Sequence, residues 1–560
     1  MMRYVWWLIL GASLIGAPAG SQEAVDLIVH NGKVFTADNM MSIRRAMAIR
    51  GGRIVAVGGE DIVSQYRAPR VIDLQGRLVI PGFDDTHIHI RGNPKGYVDM
   101  QGVHSIAEFQ ARLRAKAAQL SPGEWITGWG WSEDELVEKR KPVRGDLDVA
   151  TPRNPAVIQR AGGHSAVINS LALKMAGVTR ETRDPPTGMI EKDASGEPNG
   201  VFRENWGIVA RLIPAANDAE LSQSLKENLQ ALFAYGITSI IEAMTPPEDY
   251  PRWQELYTRL ADSLPRAAVQ IHLPVGFGEG EKASAFLRSL TLRSGQGNEH
   301  LRVGALKLFV DGGYTGPAAW TLEHYLDQPD YYGKARLGET DLYTVLKTAH
   351  ELGWQIGMHT IGDAAIKMAV DQLARVLDER PRVDHRDYLN HFTVMPPRAT
   401  MEKMATHDIL IAQQPEFTYT IEGRYVAYLV GQRLQTNNPL RTPLSHGIFM
   451  ALGSDIMPIG PLLGIYSAVT RRGMSGAVYG GEERLTVPEA VIGYTRNGAY
   501  LTFEERTKGT LEVGKLADFV VLSEDIIEMD PERIFSDAKV DLTVLGGKVV
   551  YDRNQRGGGN

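Results

Sequence analysis

Residues 78–90 read LVIPGFDDTHIHI: an apolar run of strand length, a Pro81-Gly82 break, then two histidines one residue apart. The opening LVIPGF (78–83) has the length and bulk of a strand buried on both faces. In an extended segment residues i and i+2 point to one side, so His87 and His89 can present both imidazoles to one ion. Two ordinary strand histidines are the alternative. With 14 histidines in 560 residues, chance alone supplies about 0.35 such triplets, so the rest of the chain decides.

Seven further runs of the same kind follow: ITSIIEA (237–243), AAVQIHLPV (267–275), VGALKLFVD (303–311), QIGMHT (355–360), YLNHFT (388–393), ILIAQQ (409–414) and IFMALGSD (448–455). Helical patterns such as LYTVLKTAHELG and AAIKMAVDQLARVL separate them. Eight strands with intervening helices predict an α/β fold, a (β/α)8 TIM barrel over 79–484. At the chain ends the rhythm changes to short alternating strands with Gly and Asn turns: DLIVHNGKVFTA, AMAIRGGRIVAVG and RVIDLQG early, FVVLSED and LTVLGGKVVYD late. Segments 25–78 and 485–552 are expected to pair as one small β-sandwich, each covering edges of the other. RNQRGGGN (553–560) is polar and expected to be disordered. Residues 93–205 are too long for a simple crossover and form an insertion after the first barrel strand. On that face of a barrel it is either a lid or a remote packing appendage.

Hydrophobic residues make up 43% and charged residues 23%, with a formal charge of −7. These are globular values without the basic footprint of a nucleic-acid binder, so a small-molecule substrate is expected; a homo-oligomer is left open. There is no cysteine, which excludes disulfides, thiolate ligands and a cysteine nucleophile. Any metal must sit on His, Asp, Glu or a modified Lys. The N-terminus, MMRYVWWLILGASLIGAPAGSQEA, has a short basic start, an apolar stretch and an Ala17-Pro18-Ala19 cleavage pattern. Residues 1–19 therefore read as a signal peptide. The mature chain is expected in the periplasm or outside the cell, with no stable membrane insertion.

Candidate chemistry collects at the predicted strand ends: His359 on the fifth, His391 on the sixth and Asp455 on the eighth, the end where a barrel assembles its site. Singly, each has a plainer reading, a satisfied core histidine or a helix N-cap. Lys307 lies inside the apolar fourth strand, where an ammonium is costly unless paired or chemically changed. A buried salt bridge with Asp311 or Glu242 is the plain reading.

In this order, PGFDDTHIH, the lysine of ALKLFVDGG, HTIGDAA, NHFTV and GSDIMP resemble the metal-site series of the amidohydrolase superfamily. GGHSAVINSLAL, TGMIEKDASGEPNGV and TKGTLEVGKLADFVVL are similar to amidohydrolase family 3, the N-substituted formamide deformylase-like or YtcJ-like hydrolases. The resemblance runs from about 25 to 552. It implies one divalent ion on His87, His89 and Asp455, and a second on His359 and His391, bridged by Lys307 carboxylated on its amine. Zinc suits that donor set best, with manganese, iron or cobalt as alternatives, and one or two ions. The segment after Asp311, GGYTGPAAW, departs from the family's more Ser-rich pattern, which bears on the substrate pocket.

The implied reaction is cleavage of a C–N amide-type bond by a metal-activated hydroxide. Asp455 would shuttle the proton, and His164 or Tyr314 would support the oxyanion and contact substrate. Asp363 is a candidate orienter of His359, or the N-cap of the next helix. Trp125, Trp129 and Trp131 in GEWITGWGW are read either as core or as a wall for an apolar substituent, with Trp129 and Trp131 taken as substrate-binding. An esterase, lactonase or cyclic amidase would use the same site. So would a silent binding protein, and a structural zinc is the last alternative.

Overall fold

The computed structural model describes residues 22–558 apart from 164, 186–187, 430 and 457. The predicted signal peptide lies outside the described residues. Eight strands form one all-parallel sheet in chain order: β1 (Phe83–Ile88), β2 (Ile237–Thr245), β3 (Arg266–His272), β4 (Leu301–Phe309), β5 (Ile356–Thr360), β6 (Tyr388–His391), β7 (Leu410–Gln413) and β8 (Met450–Leu452). A parallel bridge between Ile88 and Asp455 closes it into the predicted barrel. The strands are buried along nearly their whole length, which is why they read as unbroken apolar runs.

The LVIPGF run, expected as one barrel strand, divides at Gly82. Leu78–Pro81 lies in the end sandwich, antiparallel to Phe519–Val521 and parallel to Lys33–Val34. Only from Phe83 does the chain enter the barrel. Gly82 is required at this crossing, because a Cβ there would meet Thr238 Oγ1 at 2.1 Å.

The sandwich pairs a four-stranded sheet from the N-terminal segment with a six-stranded sheet to which both chain ends contribute. Leu27, Val34, Met47, Ile49, Phe519 and Val544 fill its core. Arg266 at the start of β3 donates to Asp518 at 2.7 and 3.2 Å, a buried ion pair joining barrel to sandwich. Two expectations at the C-terminus need correction. Residues 487–501, expected as sandwich, instead form helices Val487–Gly493 and Arg496–Leu501, the second packed on β1 and β8. The capping box of Thr486 with Glu489 starts the first, a helix signal legible in TVPE. Residues 553–558, expected as disordered, form a 3-10 turn after the last strand.

The insertion builds its own six-stranded sheet, from Tyr97–Asp99 to Pro198–Arg203, with helix α1 (Ile106–Ala117) against it. Ser105 caps α1 by accepting from Glu108 N–H at 3.1 Å. Phe109, Leu113, Trp131 and Ile158 pack on one face of the sheet, and Val157, Ala166, Ile168 and Phe202 on the other. This unit roofs the C-terminal end of the barrel. Gly162 approaches so closely that a Cβ would lie 2.6 Å from Thr315 Oγ1. Arg160, nearly fully buried, donates to Glu133 at 2.7 Å, and Glu133 also pairs with Arg424; helix α2 (Asp218–Ala231) precedes β2, α3 (Asp363–Glu379) follows β5, and α4 (Glu422–Tyr428) carries Arg424.

Candidate metal centre

β1 ends at His87 and His89, β4 carries Lys307, β5 His359 and β6 His391, and Asp455 follows β8. The barrel brings these residues, far apart in sequence, to one end. One ligand atom each from His87, His89 and Asp455 lies within 4.8 Å of the others. His89 Nε2 stands 3.5 Å from Asp455 Oδ1, and His391 Nδ1 is 4.0 Å from Asp455 Oδ2. The ring of His391 is 4.6 Å from that of His87 and 4.4 Å from that of His359. Asp455 and His391 take φ of +59° and +77°, left-handed values that a non-glycine residue holds only where its surroundings impose them. Asp455 N–H donates to His87 O at 2.6 Å, while Asp85 Oδ1 accepts from Ser454 N–H at 2.9 Å and from His87 N–H at 3.3 Å. The first and last strands are thereby locked together at the ligands.

Hydrogen bonds set the imidazole tautomers. His87 Nδ1–H donates to Asn390 Oδ1 at 2.7 Å, which leaves the lone pair on Nε2. His391 Nδ1–H donates to Gln414 Oε1 at 2.6 Å, and the Gln414 amide is itself oriented by donating to Ala412 O at 3.1 Å. His89 Nδ1 faces Glu242 Oε1 at 3.9 Å. Asn390, Gln414, Asp85 and Glu242 were not foreseen as site residues. Asn390 and Gln414 stand at strand ends beside the candidate ligands, whereas Asp85 and Glu242 lie within β1 and β2.

Burial and the charge of Lys307 hold His87 well below its ordinary pKa, and burial holds His89 down likewise, so both rings are neutral donors. Burial pushes the Asp455 carboxyl up against the opposing pull of Lys307, and pushes the Lys307 amine down against the pulls of Asp455 and Glu242. Glu242 and Asp85 are each pushed up to about 7, chiefly by burial. Among the described residues His87 Nε2, Glu242 Oε1, Asp85 Oδ2 and Lys307 Nζ are buried without a hydrogen-bond partner. His87 Nε2 belongs to the His87–His89–Asp455 cluster, and an unsatisfied buried lone pair there fits a bound cation, which would satisfy it. Lys307 fits only without its proton, since an ammonium has no lone pair.

The centre forms the floor of a cavity of about 1330 Å³, lined by Trp129, Tyr314, Tyr425, Phe417 and Ile456 among others. Trp129 and Tyr314, both expected to contact substrate, line this cavity. The Tyr314 hydroxyl has no partner among the described residues, and burial raises its pKa well above the ordinary value, so it keeps its proton. Trp131 does not reach the cavity: it is fully buried in the insertion core, its Nε1–H donating to Ile158 O at 3.1 Å. A break in strand alternation explains the difference: residues i and i+2 of a regular strand share a face, and the register shift between Trp129 and Trp131 turns the two apart. His164 lies outside the described residues. Asp363, expected to orient His359 or to cap the next helix, is the first residue of α3 and accepts from Leu322 N–H at 2.9 Å and from Arg433 at 3.1 Å, tying the 320s loop to α3. Asp311 instead lies 3.9 Å from His359 Nε2 and accepts from the N–H groups of Trp320, Ile361 and Gly362.

The sequence profile of the amidohydrolase family matches residues 70–551. YtcJ of Bacillus subtilis (strain 168) is 29% identical over 539 residues, covering 94% of this chain and 99% of YtcJ. The N-substituted formamide deformylase of Arthrobacter pascens is 28% identical over 556 residues, 94% of this chain and 98% of that protein. An uncharacterized metal-dependent hydrolase from Pyrococcus furiosus superposes with a TM-score of 0.68 at 23% identity, over 90% of this chain and 100% of the other, a likeness of fold.

Proposed function

Because the chain belongs to the amidohydrolase family, we propose that this metal-dependent hydrolase cleaves a C–N amide-type bond of a small molecule in the cavity above the four histidines. The observation that carries the reading is the convergence of His87, His89 and Asp455 at the cavity floor, with their ligand atoms within 4.8 Å of one another. His87, His89 and Asp455 would hold one divalent cation, zinc being the best match to imidazole and carboxylate donors. His359, His391 and a carboxylated Lys307 would hold a second. When bound, the cation supplies Lewis acidity and a water of lowered pKa.

The chain's own residues do the rest. Asn390 and Gln414 hold the His87 and His391 tautomers, so the lone pairs stay on Nε2. Asp455, buried and raised in pKa, takes the proton of the attacking water and returns it to the leaving nitrogen. Tyr314, protonated throughout, offers its hydroxyl to the carbonyl oxygen as charge develops. The aromatic roof around Trp129 keeps bulk water from the reacting bond. Lys307, its amine pushed down by burial so that the neutral form is accessible, would add carbon dioxide: its nitrogen bonds to the carbon and loses a proton, giving an anionic oxygen ligand. Intact mass measurement of the native protein checks this by the added mass of one carbon dioxide. Export is part of the same reading, and the N-terminal residue of the mature protein tests it.

The deciding experiment pairs elemental analysis of the purified protein with turnover of N-acyl and N-formyl amides and matched esters, before and after chelation. One to two ions per chain, with amide hydrolysis lost on chelation and restored by zinc or manganese, is the expected result. Esters turned over with amides untouched would replace the bond class, and bound metal without any turnover would point to a binding protein.

A further inference from the structure

Four cationic side chains line the cavity: Arg91, Lys95, Lys116 and Arg336. Lys95 pairs with Glu124 at 3.6 Å, and Lys116 donates to Lys95 O at 3.4 Å. Arg91 and Arg336 have neither an ion pair nor a side-chain hydrogen bond among the described residues. Both are held next to the centre by their backbones. Arg91 follows His89 by two residues, and its carbonyl accepts from Asn228 of α2 at 2.7 Å. Arg336 donates its N–H to Val310 O at 2.8 Å, and its guanidinium stands 5.2 Å from the Phe309 ring centroid. That ring in turn lies 4.8 Å from His359. Both guanidiniums thus border the one cavity beside the centre, Arg91 just beyond the end of β1 and Arg336 over the Phe309 ring. Of the acids on the cavity wall, Glu204 and Asp455 among them, Asp99 accepts from Gln101 N–H at 2.9 Å, Glu220 from Lys95 N–H at 3.4 Å and Glu227 from Gln223 at 2.6 Å, and none forms an ion pair with Arg91 or Arg336 among the described residues.

Two uncommitted guanidiniums beside a reaction centre match a planar anion, which they bind through forked, charge-assisted hydrogen bonds. We propose that Arg91 and Arg336 form an anion subsite for a substrate carboxylate, so that the preferred substrates are amides carrying a carboxylate close to the scissile bond. The apolar remainder packs against Trp129, Tyr97 and Ile456, which line the same cavity. The inference rests on the amide-hydrolase reading above and narrows it. Water adds across the C–N bond, the acyl carbon taking the hydroxyl and the nitrogen the proton, while the carboxylate stays unchanged in its clamp.

The test compares N-acetyl-phenylalanine with N-acetyl-phenethylamine, which lacks only the carboxylate, in the metal-loaded full chain. The acid should be preferred in kcat/KM by roughly ten- to hundred-fold, the range for a hydrogen bond to a charged group. Arg91→Gln and Arg336→Gln should each shrink that ratio about tenfold, and the double variant should abolish it. A ratio near one in the parent protein, or one that survives in the double variant, overturns the subsite. Binding of 3-phenylpropionate and 3-phenylpropionamide by calorimetry needs no turnover and separates the two readings. Loss of the acid's advantage in the double variant upholds the subsite even if neither amide is hydrolysed, in which case the amide reading alone falls. An unchanged advantage in the double variant overturns the subsite whatever the turnover shows, since the carboxylate would then be held by the metal centre.

Discussion

Asp455 is the residue on which the site turns, because it is both 3.5 Å from His89 and at the seam where β1 meets β8. Asp455→Asn keeps the shape and removes the proton acceptor. Turnover should fall by about 10²–10⁴, the contribution of general acid–base catalysis, with the thermal transition and cavity intact; near-parent kcat would end its proton-transfer role. Asn390 acts one step away. Asn390→Ala strips the acceptor from His87 Nδ1–H, and metal affinity measured by chelator competition should drop about 10–100-fold; an unchanged affinity would show that the tautomer is set elsewhere. His87 and His89 were legible from their i, i+2 spacing and their place after an apolar run. Asn390 and Gln414 were not, because an amide beside a histidine carries no signal until two strands put their ends together.

Among the elements, the inserted sheet is held to the barrel by charge. Burial alone would raise Glu133, but the Arg160 and Arg424 guanidiniums hold it down to about 2. Its folded value lies below its unfolded one near 4.5, so its stabilisation is present above about pH 4.5 and disappears as pH falls toward 2. The amount is on the order of 3 kcal/mol. Glu133→Gln should lower stability at neutral pH and converge with the parent near pH 2. Denaturation curves separated equally at both pH values would refute the latch. The Trp-rich stretch of this insertion illustrates a limit of pattern reading. Trp129 faces the cavity and Trp131 the insertion core, and the bulge at Gly130 that sorts them is invisible until Ile126–Trp131 pairs with Ala156–Arg160.

For the whole molecule, the last strands complete what the first began. Phe519–Leu522 pairs with Leu78–Pro81 immediately before the chain enters β1, and Asp518 neutralises the buried Arg266. Ending the chain at Glu512 should therefore leave an uncompensated buried guanidinium and a split sandwich core, and abolish cooperative folding. A soluble truncated chain with a sharp thermal transition would show that the barrel stands without its sandwich. The closure also explains why His89 and Asp455, 366 positions apart in the sequence, stand 3.5 Å from one another.

The sequence by itself determined the barrel, because its parallel strands are buried on both faces and must be written as apolar runs, and it singled out the candidate ligands, because their chemistry stands out against those runs. It also marked Lys307, since an amine in an apolar strand has few plain explanations. Only the tertiary structure decided where LVIPGF divides, which tryptophan meets the cavity, which amides orient the imidazoles and which two arginines are left without partners. These depend on close contacts between segments remote in sequence, and neither periodicity nor composition records such contacts.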